Sequence, residues 1–405
     1  MSPMVEFNLN NTDSEHNGKL PEPDAVAREH SRRLLEKIRA EIEAQGGTIS
    51  FRRYMEMVLY EPGLGYYSAG ARKFGRDGDF TTAPELSDLY SRCIARQCKE
   101  ILWHTGGGII MELGAGSGAM AGAVLTELQV LDSLPQQYLI LETSADLKQR
   151  QQQLLASTHS AYYSNIVWLD RLPSEKFNGV ILASEVLDAL PVHRIIIDEN
   201  GISELAVAYQ SGGFVYKKLR LDETLLHHME RLQNYFAGPP SEAYTTEINP
   251  ELNAWIASFS DILETGVMLI IDYGYPGKEY YHPQRGSGTL KCHYRHHVHD
   301  DPFFYPGLQD VTASVDFTGV AEAALDAGLE VSGFTTQAYF LVACGLGGMV
   351  NEQRDDDFRF LQLTQQAKLL TMPGAMGEQF KVIALGKNYS QPLLGFRVAD
   401  QRGRL

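Results

Sequence analysis

Apolar residues in the first hundred positions recur at helical spacing, and from about residue 109 they gather into short runs. Between 23 and 45, Leu34, Leu35, Ile38 and Ile42 fall on one face, which predicts an amphipathic helix. Gly46-Gly47 stops it. A second, shorter helix is predicted at SFRRYMEMVLY. The next stretch, EPGLGYYSAGARKFGRDGDFTTAPE, is rich in glycine and aromatics and reads as a long structured loop, a kind that is usually functional. It ends at Thr82-Ala83-Pro84-Glu85, where capping-box spacing and an early proline open a helix carrying Leu86, Leu89, Cys93, Ile94 and Ile101.

Beyond Gly106-Gly107-Gly108 the period changes. The runs at 109–113, 138–142, 166–169, 180–183 and 267–272 read as strands, with helices after the first two. Such alternation predicts an α/β fold with a parallel sheet and crossover helices. FKVIALG at 380–386 reads as the last strand. Two irregular segments interrupt the pattern, at about 190–265 and 274–318. In the first, HRIIIDENGISELAVAYQ predicts a hairpin turning near Glu199-Asn200-Gly201. The organisation expected is a loose tail at 1–23, a helical part with the glycine-rich loop at 24–105, and an α/β domain with two insertions at 106–405.

Composition narrows the function classes. Of 405 residues, 44% are hydrophobic and 21% charged, as in an ordinary globular chain. The net charge of −16 repels phosphate backbones and argues against a nucleic-acid partner. It can attract a basic substrate or protein segment, although plain solubility is the simpler account of it. No apolar run is long enough to span a bilayer. The polar, acidic start has no signal or transit character, and four cysteines make no disulfide framework. A cytoplasmic protein is therefore expected. Cys93 and Cys98, five apart on one helix, read as packing and not as a metal clip.

Candidate chemistry lies at the ends of the predicted strands. MELGAGSGAM joins a strand to a helix, and Gly114 and Gly116 allow a tight turn close to a ligand. The loop also fits the G-x-G-x-x-A dinucleotide pattern. Glu112 just before it favours an adenosylmethionine site over a dinucleotide site. Glu142 ends the second strand, where a carboxylate can accept both hydroxyls of a ribose. SEVLDALPVH places Ser184, Glu185 and Asp188 at the carboxyl edge of the sheet, where open α/β sheets bind ligands. Two acids there suit a cationic acceptor, a guanidinium above all. Cys292, His293, His296, His297 and His299 lack metal-finger spacing, so no metal is expected and they read as a surface over the cleft.

EPGLGYY, GDFTTAPELS, ELGAGSG, ETS, SEVLDALPVH, IDYGY, GTLKCHYRHHVHDDPFFYPGLQDVTASVDF and MPGAMGEQFKV occur in one order along the chain. This series resembles the MidA-type proteins, a family that includes a mitochondrial complex I assembly factor with protein arginine methyltransferase activity. The resemblance covers about 32–386. It implies a Rossmann-like class I methyltransferase sheet with an N-terminal helical extension and inserted cap segments. It implies S-adenosyl-L-methionine bound at Gly114, Ala115 and Gly116, with Glu142 on the ribose and Ser184 at the same edge. Asp79, Phe80 and Thr81 are implied to lie near the cofactor. An arginine on a protein partner is the acceptor expected by analogy with the family, with Glu185 and Asp188, from their position, as the catalytic pair that would hold it. Ser184 and Ser314 depart from residues common in the family at those positions. A small-molecule acceptor and a non-catalytic assembly role are the alternatives.

Overall fold

The structure is a computed structural model in which residues 20–69, 82–236 and 242–405 are described. Asp79, Phe80 and Thr81 lie outside the described residues, as does most of the predicted tail.

The central sheet is mostly parallel. Its strands are β1 (Ile109–Leu113), β2 (Gln137–Leu141), β3 (Ile166–Leu169), β4 (Phe177–Ser184), β5 (Leu263–Tyr275), β6 (Glu330–Thr336) and β7 (Phe380–Lys387), in the order β6-β7-β5-β4-β1-β2-β3. All neighbours run parallel except β7, which is antiparallel to both β5 and β6. Val315–Asp316 adds a two-residue edge beside Gly274 and Tyr275. The central parallel strands β4 and β5 are apolar on both faces, as buried parallel strands must be. Val180, Leu182, Val267 and Leu269 feed one core layer, while Ile181, Ala183, Met268 and Ile270 feed the other.

Helix α1 (Ala25–Ala44) is capped by Asp24 and buries Leu34, Ile38 and Ile42. Helix α2 (Phe51–Tyr60) is capped by Ser50. The helix expected from Thr82 is broken in two, α3 (Ala83–Leu86) and α4 (Asp88–His104). Thr82 makes no side-chain cap, whereas Ser87, in extended backbone, accepts the Leu89 N–H and starts α4 afresh. Cys93 and Cys98 are both free and buried in the core. Helices α5 (Ala119–Val130) and α6 (Ala145–Thr158) follow β1 and β2.

The segment 190–265 contains an antiparallel sheet of His193–Asp198, Gly201–Gln210, Gly213–Leu219 and Tyr244–Ile248. Its first hairpin turns at Glu199-Asn200, and Gly201 has φ +108°. The last part of that segment, helix Leu252–Ile262, belongs to the core and leads into β5. The segment 274–318 holds a small sheet of Lys291–Tyr294, His297–His299 and Asp310–Thr312. α2 packs against both added sheets through Phe51, Tyr54 and Val58, with Val207, Cys292 and Val311 in the same cluster. Arg194 locks them together: it donates to Glu247 at 3.1 Å and to the Ser287 carbonyl at 3.3 Å, while Glu247 accepts the Thr289 N–H at 2.6 Å.

Candidate functional site

The carboxyl ends of β1, β2 and β4 open onto a cavity of about 360 Å³. The turn after β1 forms one wall. Gly114 and Gly116 have φ of +59° and +55°, and Gly118, at +89°, starts α5. These are left-handed conformations that glycine adopts without the strain a side chain brings. Gly114, Ala115 and Gly116 all line the cavity. Glu112 is buried and accepts the Tyr138 hydroxyl at 2.6 Å; burial pushes its carboxyl up to about 7.

Glu142 lines the next wall and is fixed by two donors, the Ser144 N–H and the Gln151 amide, both at 2.9 Å. The same Gln151 amide donates to the Gly116 carbonyl at 3.0 Å. Its oxygen accepts the Trp168 indole N–H at 3.0 Å. Gln151 therefore sets the distance between the acid and the glycine turn. Nothing in the sequence singles it out, because it stands in a polar run, KQRQQQ, whose neighbours face elsewhere.

The facing wall is built from the turn after β4. Ser184 exchanges a hydrogen bond with the Tyr90 hydroxyl at 2.9 Å. Glu185 has φ +54°, an unfavourable conformation for a side chain with a Cβ, costing on the order of 1–3 kcal/mol. Two contacts hold it there. Its N–H donates to the Ile271 carbonyl at 2.9 Å, and the buried Asp272 carboxylate accepts the next three N–H groups, of Val186, Leu187 and Asp188 (at 2.9–3.2 Å). The strain is thus imposed by β5 on the tip of β4, and Asp272 of the IDYGY segment is a positioning residue that the sequence reading missed.

Glu185 and Asp188 both face the cavity, and Asp188 Oδ1 is buried without a hydrogen-bond partner among the described residues. Burial, then the neighbouring Asp188 charge, pushes Glu185 up to about 8. Burial raises Asp188 to about 6, and burial with the two adjacent acids raises Asp272 well above the usual carboxylate range. Tyr60 and Tyr67 close this side, stacked with centroids 5.6 Å apart. Tyr60 donates to the Ala189 carbonyl and Tyr67 to Asp310, each at 2.8 Å. Six carboxylates line the cavity, from Glu85, Glu112, Glu142, Glu185, Asp188 and Asp310, and the described lining includes no Lys, Arg or His.

Glu85 does not close a capping box: it accepts the Ser117 hydroxyl instead, tying α3 to the glycine turn. The histidines lie beside the cavity strand of Asp310, with which His293 pairs. His293, His297 and His299 stand on the hairpin of the second inserted segment, with His296 in its turn, and none of them lines the cavity. The backbone turn at Arg295-His296 and the packing of Cys292 against α2 account for that stretch. Ser314 lies in a separate, smaller cavity of about 60 Å³, away from Ser184.

Comparison with known proteins agrees with this architecture. Residues 93–335 match the family described as "Putative S-adenosyl-L-methionine-dependent methyltransferase". A crystal structure from Burkholderia thailandensis bound to S-adenosyl-homocysteine is 40% identical, with a TM-score of 0.91, covering 95% of this chain and all of that one. A second structure from the same organism is 39% identical with a TM-score of 0.87. Among curated proteins, the "Protein arginine methyltransferase NDUFAF7 homolog, mitochondrial" of Caenorhabditis elegans is 27% identical over 95% of this chain and 94% of its own length. The Danio rerio protein named "Protein arginine methyltransferase NDUFAF7, mitochondrial" is 27% identical over 87% and 86%. A glycine turn at the carboxyl edge of the sheet, with a buried carboxylate fixed beside it, fits the cofactor of that family, and the chain belongs to it: it is an S-adenosyl-L-methionine-dependent methyltransferase.

Proposed function

We propose that this methyltransferase acts on an arginine of a basic protein partner in a reducing, cytoplasmic setting. The observation that carries the reading is the cavity wall of Glu185, Asp188 and Asp310 beside two stacked tyrosines, with no cation among the described lining residues. A guanidinium would satisfy the orphaned Asp188 oxygen, offset the carboxylate charges and lie against an aromatic face. The names of the curated relatives support a protein arginine acceptor.

Gly114, Ala115, Gly116 and Glu142 would hold the cofactor, with Ser184 at the same edge. When bound, S-adenosylmethionine supplies a methyl group already activated for displacement. The chain's own residues then orient the acceptor, exclude water and manage its proton. Glu185 and Asp188 grip the guanidinium, and one of them accepts the proton that the alkylated nitrogen must lose. The test is incubation of the purified chain with methyl-labelled cofactor and fractionated lysate, followed by mass spectrometry of labelled peptides. Label on arginine supports the reading. Label on another residue or on a metabolite overturns it.

A further inference from the structure

Tyr90 stands in the first turn of α4, 1% exposed and packed in the core with Leu89, Cys93 and Ile94. Among the described residues its hydroxyl has one hydrogen-bond partner, the Ser184 hydroxyl at 2.9 Å. Either oxygen can donate, and burial decides which does. If Ser184 donated, the Tyr90 proton would be left buried without an acceptor, a loss larger than the bond's own worth. Burial also pushes the Tyr90 hydroxyl well above its ordinary range, so the proton stays on it. Tyr90 is therefore the donor, and the Ser184 proton is left to point elsewhere. Ser184 lines the large cavity and Tyr90 does not, so that proton points into the cavity.

The strand register says what meets it. Leu113 of β1 pairs with Leu141 of β2 and with Ala183 of β4. The residues that follow, Glu142, Gly114 and Ser184, therefore stand level across the edge of the sheet, the outer two roughly 10 Å apart at two strand spacings. A cofactor whose ribose lies on Glu142 and which runs across the glycine turn brings its amino-acid end to Ser184. That end carries an ammonium and a carboxylate. The ammonium has acids to meet, whereas the described lining offers the carboxylate no Lys, Arg or His, so uncharged donors must serve. Three other lining hydroxyls already have acceptors: Ser117 donates to Glu85, Tyr60 to the Ala189 carbonyl and Tyr67 to Asp310. A guanidinium is a donor only, so the Ser184 proton has no acceptor on it. We infer that Ser184 binds the α-carboxylate of the cofactor and that Tyr90 is the positioning residue that aims its hydroxyl. This rests on the placing of the ribose at Glu142.

Calorimetry on the full chain tests this with two probes, S-adenosyl-homocysteine and its decarboxylated analogue, in which hydrogen replaces the carboxylate. Ser184→Ala is expected to weaken S-adenosyl-homocysteine about 10- to 100-fold, the range for a hydrogen bond to a charged group, and to leave the analogue unchanged. Tyr90→Phe removes only the buried hydroxyl and is expected to cost S-adenosyl-homocysteine about three- to tenfold, again sparing the analogue. Added to Ser184→Ala, it is expected to cost nothing more. A disturbed fold would weaken both probes, so the selectivity between them separates positioning from a structural role. Gln151→Leu is the control: it acts through Glu142 and is expected to weaken both probes alike. Equal losses on the two probes in Ser184→Ala overturn the inference, as does unchanged S-adenosyl-homocysteine affinity in either variant. If Gln151→Leu spares both probes, the ribose does not lie on Glu142, and the inference falls with that placement.

Discussion

The Asp272 carboxylate at the end of β5 accepts the Leu187 N–H at 2.9 Å, and through the same oxygen those of Val186 and Asp188 at 3.2 Å. One side chain on one strand therefore dictates the path of the turn on its neighbour, and with it the aim of Glu185 and Asp188. Asp272→Ala leaves three N–H groups without their acceptor, next to a residue already held at φ +54°. Losing a buried acceptor costs about 1–3 kcal/mol, and denaturant unfolding should show a loss of that size. Turnover should fall about tenfold to 100-fold while cofactor affinity changes little, if the turn serves the acceptor as proposed. Equal losses in turnover and cofactor affinity would mean that the turn supports the cofactor as well.

Gln151 has the corresponding role beside the glycine turn, where the cofactor is proposed to bind. Its amide bridges Glu142 and the Gly116 carbonyl, and Gln151→Leu keeps the volume while removing both donors. Calorimetry with S-adenosyl-homocysteine should show affinity reduced about tenfold to 100-fold. Gln151→Glu should be worse, since it sets a second carboxylate against Glu142. Unchanged binding in both variants would place the ribose elsewhere.

The glycine turn can be probed without crowding. A Cβ on Gly114 would meet Val186 Cγ2 at 3.7 Å, an ordinary contact, so Gly114→Ala tests φ alone. At +59° the left-handed conformation costs an L-residue roughly 1–2 kcal/mol. Thermal unfolding should fall by a few degrees in Gly114→Ala. Gly114→Val adds a branched side chain in the cavity wall and should abolish cofactor binding in a chain that still folds. Full affinity in the valine variant would show that the cofactor does not lie against this turn.

The parts of the molecule legible in sequence are those where local pattern and tertiary role agree. Strands such as Val180–Ile181–Leu182 are apolar because both faces are buried, so their runs announce them. The glycine turn, Glu142 and the Glu185–Asp188 pair sit at strand ends, where position alone suggests chemistry. β6 is different: EVSGFTT has no apolar run, and it is held by pairing with β7 and not by its own pattern. Asp272, Gln151 and Asp310 escaped for another reason. Each acts on a segment far away in the chain, and Asp310 joins the site only because α2 and the second inserted sheet bring it to Tyr67. The histidine run was legible only as a dense polar stretch; that it forms a hairpin paired with the Asp310 strand follows from partners distant in the chain.

The acids also predict a pH response. Glu185, pushed up to about 8, and Asp188, raised to about 6, keep their protons in the folded chain at pH values where an unfolded chain has lost them. Their contribution to stability is present in full below about pH 4, the ordinary carboxyl range, and is lost as pH rises towards 8. Between pH 6 and 8.5 the melting temperature of the free protein should decline more in the native chain than in Glu185→Gln. A cationic acceptor reverses the preference by favouring the charged forms, so acceptor binding near pH 7 should release protons. Calorimetry in buffers of different ionisation enthalpy measures that release, and proton uptake would contradict the assignment.

Glu185→Gln is the sharpest test of the proposed chemistry. The substitution keeps size and hydrogen-bonding capacity but removes the charge and the ability to take a proton. In S-adenosyl-homocysteine binding it should be nearly silent, because Glu142 and the glycine turn are untouched. In turnover it should cost about two to four orders of magnitude, the usual worth of a positioned proton acceptor. The loss should lie in the catalytic constant more than in the Michaelis constant, since Asp188, Asp310 and the tyrosine pair still hold the acceptor. The pH profile discriminates further: kcat/KM of the native chain, which reports the free enzyme, should rise from pH 6 to 8 as Glu185 ionises, and the variant should lose that limb. If the variant keeps both its rate and its rising limb, the proton leaves by way of Asp188 or water, and Glu185 serves only to shape the turn that Asp272 holds.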